Sequence, residues 1–455
     1  MSKPWSRRDA LRALGLTAGS LLPISTWATT NEEGLPILLP TEKVEVEKAI
    51  TVITLGAGNR GNVYGNYALK YPEQLDIIGV AEPIAIRNER YAAKHNIIPE
   101  NCFNTWEDVF KRPKFADAVI ISTPDQLHYG PCMKALEMGY DVLLEKPISP
   151  SEEECRNILQ LAKNTGRIVA VCHVLRYAPY FIKLRELMHS GAIGEVISIQ
   201  HMEPIGHVHM SHSYVRGVWH DSKKNTPIIL AKSCHDLDII RWLVGKSCKN
   251  VQAYGSLKWF KESNAPEGST NRCTDGCAIE GSCPYSALRI YYRNRSWLHH
   301  FDLPEDKEQQ GEVIMKYLKE SNFGKCVYQM DNDQPDHYTT NLLFDEDVTA
   351  SFNMEAFTSY EGRRTRVMGS MGDIVGDMTS FTLTDFRTGE KTEWKETSDM
   401  HGGGDWRLVA NWIQAISKKD PSLLTSTIDQ SIESHIIGFM AEESRKSKKV
   451  MEVKM

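Results

Sequence analysis

The apolar run from Ile50 to Leu55 leads directly into a glycine-rich segment, and this junction constrains the fold of the 455-residue chain more than any other feature. The segment is Gly56-Ala57-Gly58-Asn59-Arg60-Gly61. Gly56 permits a tight turn after a strand, Gly58 lets a pyrophosphate approach the backbone, and Gly61 lets the following helix pack on the strand. The junction therefore predicts a parallel sheet that binds a nicotinamide dinucleotide, with Asn59 and Arg60 in the binding turn.

A carboxylate follows the second predicted strand, where the choice between the two nicotinamide dinucleotides is made. Glu82 lies 21 residues beyond Gly61. An acidic side chain there accepts hydrogen bonds from the adenosine ribose hydroxyls and repels a 2′-phosphate. We therefore expect NAD rather than NADP. Arg87 would weaken that preference if it turned toward the ribose.

Strand-like and helical runs alternate from residue 48 to residue 172, which predicts a doubly wound α/β domain of the Rossmann type. Ligands of such sheets lie beyond the carboxyl ends of the strands. Two further segments follow predicted strands there and are expected to contact the cofactor: Thr123-Pro124 with His128, and Glu145-Lys146-Pro147. Lys146 offers a compact cation suited to a hydroxyl that becomes a carbonyl, so we predict it to be catalytic.

Residues 1–28 have the composition of a secretion signal. The pair Arg7-Arg8 precedes an uncharged run rich in Ala, Leu and Gly, and a small-residue cleavage site could follow Ala28. Paired arginines favour the twin-arginine route, which carries folded proteins, so we expect a periplasmic protein. An amphipathic N-terminal helix is the alternative. The apolar run is too short to span a membrane, and residues 29–47 are expected to be a linker.

Composition and pattern place the rest of the chain in a second domain, residues 173–455. Strand-like runs joined by short turns predict an α+β domain with a large, mainly antiparallel open sheet. The formal net charge of −6 and the lack of a basic stripe with interleaved aromatic residues argue against a nucleic-acid partner.

Histidines and aromatic residues cluster between the first two predicted strands of this second domain. The cluster consists of His207, His209, His212, Tyr214, Arg216, Trp219 and His220. Imidazoles at short spacing can bind zinc, but no nearby Cys or Asp completes a recognisable zinc pattern. We favour carbohydrate binding, in which aromatic faces and polar donors meet ring hydroxyls. Packing within a loop is the alternative for several members.

Four cysteines lie in or beside an insertion, about residues 257–325, that shows no clear periodicity. They are Cys273, Cys277, Cys283 and Cys326. Thiolates at such spacing suit a structural zinc ion, which we favour slightly over two disulfides formed after export. Unpaired thiols in a small core are the third alternative.

These motifs together resemble the Gfo/Idh/MocA family, named after glucose-fructose oxidoreductase, inositol dehydrogenase and a rhizopine-catabolism protein. The resemblance covers residues 49–445. It rests on the glycine turn, Thr123-Pro124 with His128, residues 139–147, His173-Val174-Leu175-Arg176-Tyr177, and Cys234-His235-Asp236-Leu237-Asp238.

The resemblance implies hydride transfer between NAD and a sugar or polyol, in a homo-oligomer that forms through the open sheet. His235 would be the general base, and the Asp that assists it in the family would stand four residues earlier, where this chain has Ala231. The residues expected at the substrate are His173, Arg176, Tyr177, His209, His212, Tyr214, Arg216 and Lys232.

Three functions are compatible with the sequence. The leading hypothesis is an exported NAD-dependent oxidoreductase that acts on a carbohydrate or polyol and regenerates a tightly held cofactor. The second is an NAD-dependent glycosidase, in which transient oxidation of a sugar carbon acidifies the neighbouring C–H and permits elimination; Ala231 favours it. The third is a non-catalytic sugar-binding protein, against which the presence of Glu145, Lys146 and His235 argues.

Overall fold

The computed structural model of the protein describes residues 29–30, 36–37, 43–298, 301–396 and 403–455. The predicted signal, residues 1–28, lies outside the described residues. The chain divides after Pro40 into two units. In the first, the two-residue strands Thr29–Thr30 and Pro36–Ile37 pair antiparallel. The second unit, residues 41–455, holds both sheets described below.

The first sheet has six parallel strands. They are β1 (Ile50–Leu55), β2 (Leu75–Ala81), β3 (Cys102–Phe103), β4 (Ala118–Ile121), β5 (Asp141–Leu144) and β6 (Val169–Val171). Their order in the sheet is β3-β2-β1-β4-β5-β6, with every pair parallel. The order reverses between β1 and β4, where sheets of this kind bind their ligands. The predicted Rossmann-type fold is confirmed.

The second sheet has nine strands. They are β7 (Val196–Pro204), β8 (Cys248–Ser256), β9 (His337–Phe344), β10 (Thr349–Glu355), β11 (Arg364–Gly369), β12 (Gly372–Gly376), β13 (Ser380–Asp385), β14 (Lys391–Lys395) and β15 (Met451–Glu452). Their order is β14-β13-β12-β11-β7-β10-β9-β8-β15. Only the pair β7–β10 is parallel among these strands, so the predicted mainly antiparallel sheet is confirmed.

Helices cover the first sheet on both faces and the second sheet on one. The longer helices are α1 (Asn59–Lys70), α2 (Ala85–His95), α3 (Tyr129–Glu137), α4 (Glu152–Thr165), α5 (Pro179–His189), α6 (Cys234–Val244), α7 (Lys307–Glu320), α8 (Gly404–Lys418) and α9 (Ile428–Ser447). Alternate residues of a strand point to opposite faces. Val52 therefore packs with α1 and α8, whereas Ile53 packs with α3, α4 and α9. Two helices late in the chain thus complete the core of the first sheet.

The insertion has a small hydrophobic core of its own. Tyr291, Phe301, Ile314 and Leu318 are buried in it, and Val208 packs against it from the segment that follows β7. That segment is helical, with a short helix His207–His209 continued by a π-helix Met210–Arg216. In the part of the chain that the structure describes, no helix is both long and apolar enough to cross a membrane.

Candidate active site

The glycine turn after β1 has the form that a pyrophosphate group requires. Gly56 has a φ of 92°, a left-handed conformation that favours glycine. A Cβ atom on Gly61 would lie 2.1 Å from the Gly56 carbonyl oxygen, whereas a Cβ atom on Gly58 would meet no atom within 4 Å. The first turn of α1 contains no acidic residue and no side-chain cap, so its N–H groups suit a phosphate. The predicted dinucleotide fits this turn.

Glu82 directly follows β2 and lies beside the glycine turn. Its carboxylate accepts hydrogen bonds from the backbone N–H groups of Ala57 at 2.9 Å and Ile84 at 3.0 Å, and the side chain is buried. Each oxygen accepts one of these bonds and keeps a further lone pair. The carboxylate is therefore held at the turn with acceptor capacity for ribose hydroxyls.

Arg60 and Glu145, both predicted to contact the cofactor, form an ion pair at the ligand-binding edge of the sheet. Arg60 Nε lies 2.6 Å from Glu145 Oε1, and the Tyr64 hydroxyl donates to the same oxygen at 2.5 Å. The other oxygen accepts from the Lys146 backbone N–H at 2.8 Å. Burial raises the pKa of Glu145, but Arg60 and Lys146 together hold this pKa below its usual value. Glu145 is therefore an anion that orients Arg60 and the backbone of Lys146.

His128 joins the loops that follow β4 and β5. Its Nδ1 lies 2.7 Å from the Pro147 carbonyl oxygen, and its Nε2 lies 2.8 Å from the Thr123 carbonyl oxygen. The imidazole is buried. Thr123, Pro124 and His128 thus fix the shape of the sheet edge around Lys146.

The side chain of Lys146 reaches from the end of β5 to the start of α6, the helix that carries His235. The Lys146 ammonium donates to the carbonyl oxygen of Ala231 at 3.2 Å, just before the helix begins. His235 lies in the first turn of α6 and is 5% exposed. Its ring centroid is 6.1 Å from that of His173, and the two rings are nearly perpendicular. The fold therefore brings the predicted catalytic lysine to the helix that carries the predicted base.

A network of ion pairs begins at Asp236, the residue that follows His235. Asp236 accepts a hydrogen bond from Arg363 Nε at 2.8 Å. Arg363 also lies 2.8 Å from Glu203, which lies 2.9 Å from the Lys232 ammonium. Burial alone would raise the pKa of Asp236. The charge of Arg363 opposes this effect, and the pKa lies below its usual value. Lys232, a predicted substrate residue, is thus held by a buried carboxylate rather than free in solvent.

Two predicted substrate residues prove to be fully buried. Arg176 donates two hydrogen bonds to Asp238, of 2.6 and 2.7 Å. The Tyr177 hydroxyl accepts from the Ser426 backbone N–H at 3.1 Å. Both side chains are 0% exposed, so the contacts that the structure gives Arg176 and Tyr177 are with buried groups of the protein. His173 lies 3.6 Å from Asp238, and burial lowers its pKa to about 3.

His209 is a cluster histidine whose pKa is influenced by Lys232 and Lys146. Burial lowers the pKa of His209 well below its usual value, and the charges of Lys232 and Lys146 contribute to the shift. Its ring lies 4.5 Å from the Trp297 ring and 6.1 Å from the Tyr214 ring. A neutral imidazole and an aromatic surface are thus available beside the two lysines.

The other predicted members of the cluster hold the insertion. His212 Nδ1 lies 2.8 Å from the Tyr291 hydroxyl. Arg216 donates to the carbonyl oxygens of Lys325 at 2.8 Å and Tyr285 at 2.7 Å. Both side chains are buried. His212 and Arg216 thus bind groups of the insertion, while Tyr214 is buried beside His209.

The four predicted zinc ligands do not form a metal site. Arg216 and four thiols line one small cavity; the thiols are those of Cys273, Cys277, Cys283 and Cys326. Across residues 43–298, 301–396 and 403–455, no group of three or more His, Cys, Asp or Glu side chains is arranged to hold a metal ion. The ten cysteines are free thiols, so the disulfides are not formed either. Burial raises the pKa values of Cys283 and Cys326, which disfavours the thiolates that zinc needs. The zinc prediction is not supported.

A dinucleotide turn, a lysine and an imidazole thus lie at one edge of a Rossmann-type sheet, which is the arrangement of a nicotinamide-dependent oxidoreductase. Two family models match the chain. One, described as "Oxidoreductase family, NAD-binding Rossmann fold", matches residues 50–173, and the other, "Oxidoreductase family, C-terminal alpha/beta domain", matches residues 185–454. The chain belongs to the Gfo/Idh/MocA oxidoreductase family, and its first domain is an NAD-binding domain.

Individual relatives are distant. The chain is 25% identical to YteT of Bacillus subtilis (strain 168), named as an oxidoreductase, over 343 residues that cover 71% of this chain and 77% of YteT. It is 27% identical to an inositol 2-dehydrogenase of Corynebacterium glutamicum (strain R) over 210 residues, which are 46% of this chain and 58% of that relative. A solved levoglucosan dehydrogenase, in complex with NADH and levoglucosan, has a TM-score of 0.66 and 15% identity, covering 90% of this chain and 100% of its own. That last likeness shows the fold.

Proposed function

We propose that the protein oxidises a hydroxyl group of a carbohydrate or polyol by NAD-dependent hydride transfer. The observation that carries the proposal is the position of Lys146. Its ammonium lies at the start of α6, 3.2 Å from the Ala231 carbonyl oxygen, and α6 carries His235 in its first turn. A cation and an imidazole therefore lie at the edge of the sheet whose glycine turn fits a dinucleotide.

Lys146 and His235 have different roles in this chemistry. A hydroxyl that becomes a carbonyl must lose its proton, and His235 is the imidazole placed to take it. The Lys146 ammonium stabilises the negative charge that develops on the oxygen. NAD, when bound, accepts the hydride. His235 comes from helix α6, and Lys146 follows β5 and is held to the residue before that helix by its hydrogen bond to the Ala231 carbonyl oxygen.

A polyhydroxylated substrate is supported by the groups around this pair. His209 offers a neutral imidazole, and the Trp297 ring 4.5 Å away offers an apolar face. Glu361 lies near Lys232: burial raises the pKa of Glu361, and the lysine opposes the shift. Such a mixture of a flat apolar surface and hydrogen-bonding groups suits a ring that carries several hydroxyls. The inositol 2-dehydrogenase among the relatives supports a polyol.

We also propose export to the periplasm with the cofactor already bound. The support is the sequence of residues 1–28, in which Arg7-Arg8 precede an uncharged apolar run. A protein exported in folded form can carry NAD from the cytosol. It must then regenerate the cofactor within its own cycle, which couples an oxidation to a reduction.

The protein is further proposed to form a homo-oligomer through the open face of the second sheet. On β9, Thr339 and Asn341 are exposed while the alternating residues Tyr338, Thr340 and Leu342 are buried. One face of the strand is thus left for solvent or for another copy. Size-exclusion chromatography with light scattering tests this proposal.

The alternative function is an NAD-dependent glycosidase that works by transient oxidation and elimination. Ala231 favours it, because the acid that assists the base in the resembling dehydrogenases is missing at this position. His209 would supply a second basic group. Net redox change would be zero, which also suits a retained cofactor.

Two assays on the purified full-length protein test the proposal. Denaturation should release NAD or NADH, identified by mass spectrometry. The native protein should then be incubated with polyols, sugars and simple glycosides, with both reduced-nicotinamide absorbance and glycosidic cleavage recorded. Reduction without cleavage supports the dehydrogenase, cleavage supports the alternative, and protein that neither contains nor binds NAD contradicts both.

A further inference from the structure

The insertion makes a polar contact with the cofactor-binding half of the molecule. Asp302 of the insertion accepts two hydrogen bonds from the Arg87 guanidinium, from Nε at 2.9 Å and from a terminal nitrogen at 3.0 Å. A bidentate pair of this kind fixes the orientation of the arginine as well as its position. The two side chains are 29% and 30% exposed, so the pair is partly shielded from solvent.

Arg87 lies where the adenosine end of the cofactor is recognised. It belongs to the first turn of α2, and the preceding Glu82 is the carboxylate held at the glycine turn. The hydrogen bonds with Asp302 raise the pKa of Arg87, and the nearby charge of Glu82 contributes to the same shift. In dinucleotide folds an arginine at this place accommodates the 2′-phosphate of NADP. Here Nε and one terminal nitrogen of its guanidinium already donate to Asp302.

Asp302 is held in place by the core of the insertion. The neighbouring Phe301 is 4% exposed and packs against Tyr317, Phe323 and Tyr291, with ring centroids 4.9, 5.3 and 5.5 Å away. Its backbone N–H donates to the Leu298 carbonyl oxygen at 2.9 Å. The carboxylate is therefore presented by an ordered core rather than by an isolated surface side chain.

We infer that Asp302 is a specificity-determining residue of the cofactor site, which selects NAD over NADP by keeping Arg87 from a 2′-phosphate. This inference rests on the proposed NAD-dependent function. To bind a 2′-phosphate through the same two donors, Arg87 would have to leave Asp302, and the carboxylates of Asp302 and Glu82 would then face the phosphate dianion. NAD has no such group and leaves the pair intact. The insertion thus contributes to the choice of cofactor through Asp302. Through Trp297 it also lies beside His209 at the proposed substrate site.

The test is the dissociation constant of each nucleotide, measured by titration of full-length protein after charcoal removal of bound nucleotide. In Asp302→Asn, NADP should bind about tenfold more tightly or better, since a charge-assisted pair to phosphate becomes available. NAD affinity should change by less than about threefold. In the double variant Asp302→Asn/Arg87→Gln the gain for NADP should disappear. Glu305→Gln, which removes a charge from the exposed neighbouring residue Glu305, is the matched control and should leave both affinities unchanged.

Unchanged NADP affinity in Asp302→Asn, or a gain that persists in the double variant, would overturn the inference. If Asp302→Asn does not fold, Arg87→Lys gives the same test, because a lysine cannot form the bidentate pair and its ammonium should then favour NADP. Wild-type protein that binds neither nucleotide would reject the proposed function itself. Selective NAD binding that is insensitive to all these changes would reject the role of Asp302 alone.

Discussion

Lys146 and Ala231 are joined by a hydrogen bond of 3.2 Å, from the lysine ammonium to the alanine carbonyl oxygen. Lys146 follows a strand of the first sheet, and Ala231 ends the helical turn Ile228–Ala231 that precedes α6. In the resembling dehydrogenases an acidic side chain is expected at this position. Here the backbone carbonyl of the same residue binds the lysine, so the cation is fixed beside the His235 helix without that acid.

Removing either member of the catalytic pair should stop turnover and spare NAD binding. Lys146→Ala and His235→Ala should each lower kcat by ~100-fold or more, because general acid–base and charge-stabilising groups contribute about that much. Tryptophan-quenching titration should show unchanged NAD affinity. Lys134→Ala, at an exposed lysine paired with Glu137, is the control and should retain full activity. Near-normal turnover in His235→Ala would mean that another group, such as His209, is the base.

Alanine substitutions at Gly58 and Gly61 should have different effects on NAD affinity and on the free energy of unfolding. Gly58→Ala adds a methyl group to open space and to a φ of −72°, so stability should change by less than about 1 kcal/mol. NAD affinity should fall by about tenfold or more, because the methyl group occupies the pyrophosphate approach. Gly61→Ala places Cβ 2.1 Å from a carbonyl oxygen and should cost about 1–3 kcal/mol of stability. Urea unfolding and NAD titration measure the two effects; equal behaviour of the variants would contradict the assignment.

His435 should make the fold less stable in mild acid. Its Nε2 accepts from the Ile148 N–H at 3.0 Å and its Nδ1 lies 2.8 Å from the Ser431 carbonyl oxygen, so the buried ring is neutral. Burial lowers its pKa to about 4, against about 6.5 in an unfolded chain. Between these values the unfolded state binds the additional proton. Stability therefore falls as pH decreases through this window, by up to about 1.4 kcal/mol per pH unit from this group.

The measurement is the free energy of urea unfolding at several pH values. His435→Gln should be less stable at neutral pH but should lose stability more slowly on acidification than the wild type. Parallel curves for wild type and His435→Gln would contradict the assignment of a neutral buried imidazole.

Heavy water should distinguish the two candidate enzymes. Elimination and re-addition exchange the C–H next to the oxidised carbon, so the glycosidase would give product that carries deuterium there. A simple dehydrogenation has no step that exchanges this hydrogen, so we expect unlabelled product by NMR. Label at that carbon, dependent on His235, would favour the elimination route.

Local patterns predicted the strand before the glycine turn with its bounds, and the failures elsewhere have physical causes. The run from Ile50 to Leu55 matches strand β1, because its apolar residues and the turn that follows define it. Strand β12 has glycine at both ends and only two apolar residues, too few to show a period. Helix α7 buries only Ile314 and Leu318. Two apolar positions are too few to predict a helix within the insertion. The parallel pairing of β7 with β10 depends on distant residues and leaves no local mark.

At the site, residues next to a backbone motif were predictable and residues paired across the fold were not. The glycine turn, Glu82 and the Lys146 segment follow strands, so their common edge follows from parallel topology. Arg363 and Glu203 are far apart in sequence and become partners only when β7 and the β10–β11 connection pack together. The available signal was Glu203 itself, a carboxylate in the alternating buried register of β7. For the cysteines, residue type suggested metal ligands, whereas no such group among the described residues is arranged to hold a metal ion.

The most direct test of the account is the fate of the substrate hydrogen. Protein loaded with NAD should be mixed with inositols and simple sugars that are deuterated at every carbon, and the nucleotide should be recovered and analysed by mass spectrometry. Hydride transfer at this site predicts NADH that carries deuterium with the wild-type protein, formed ~100-fold or more slowly with Lys146→Ala. Substrate consumed while the nucleotide stays unlabelled would contradict hydride transfer at this site.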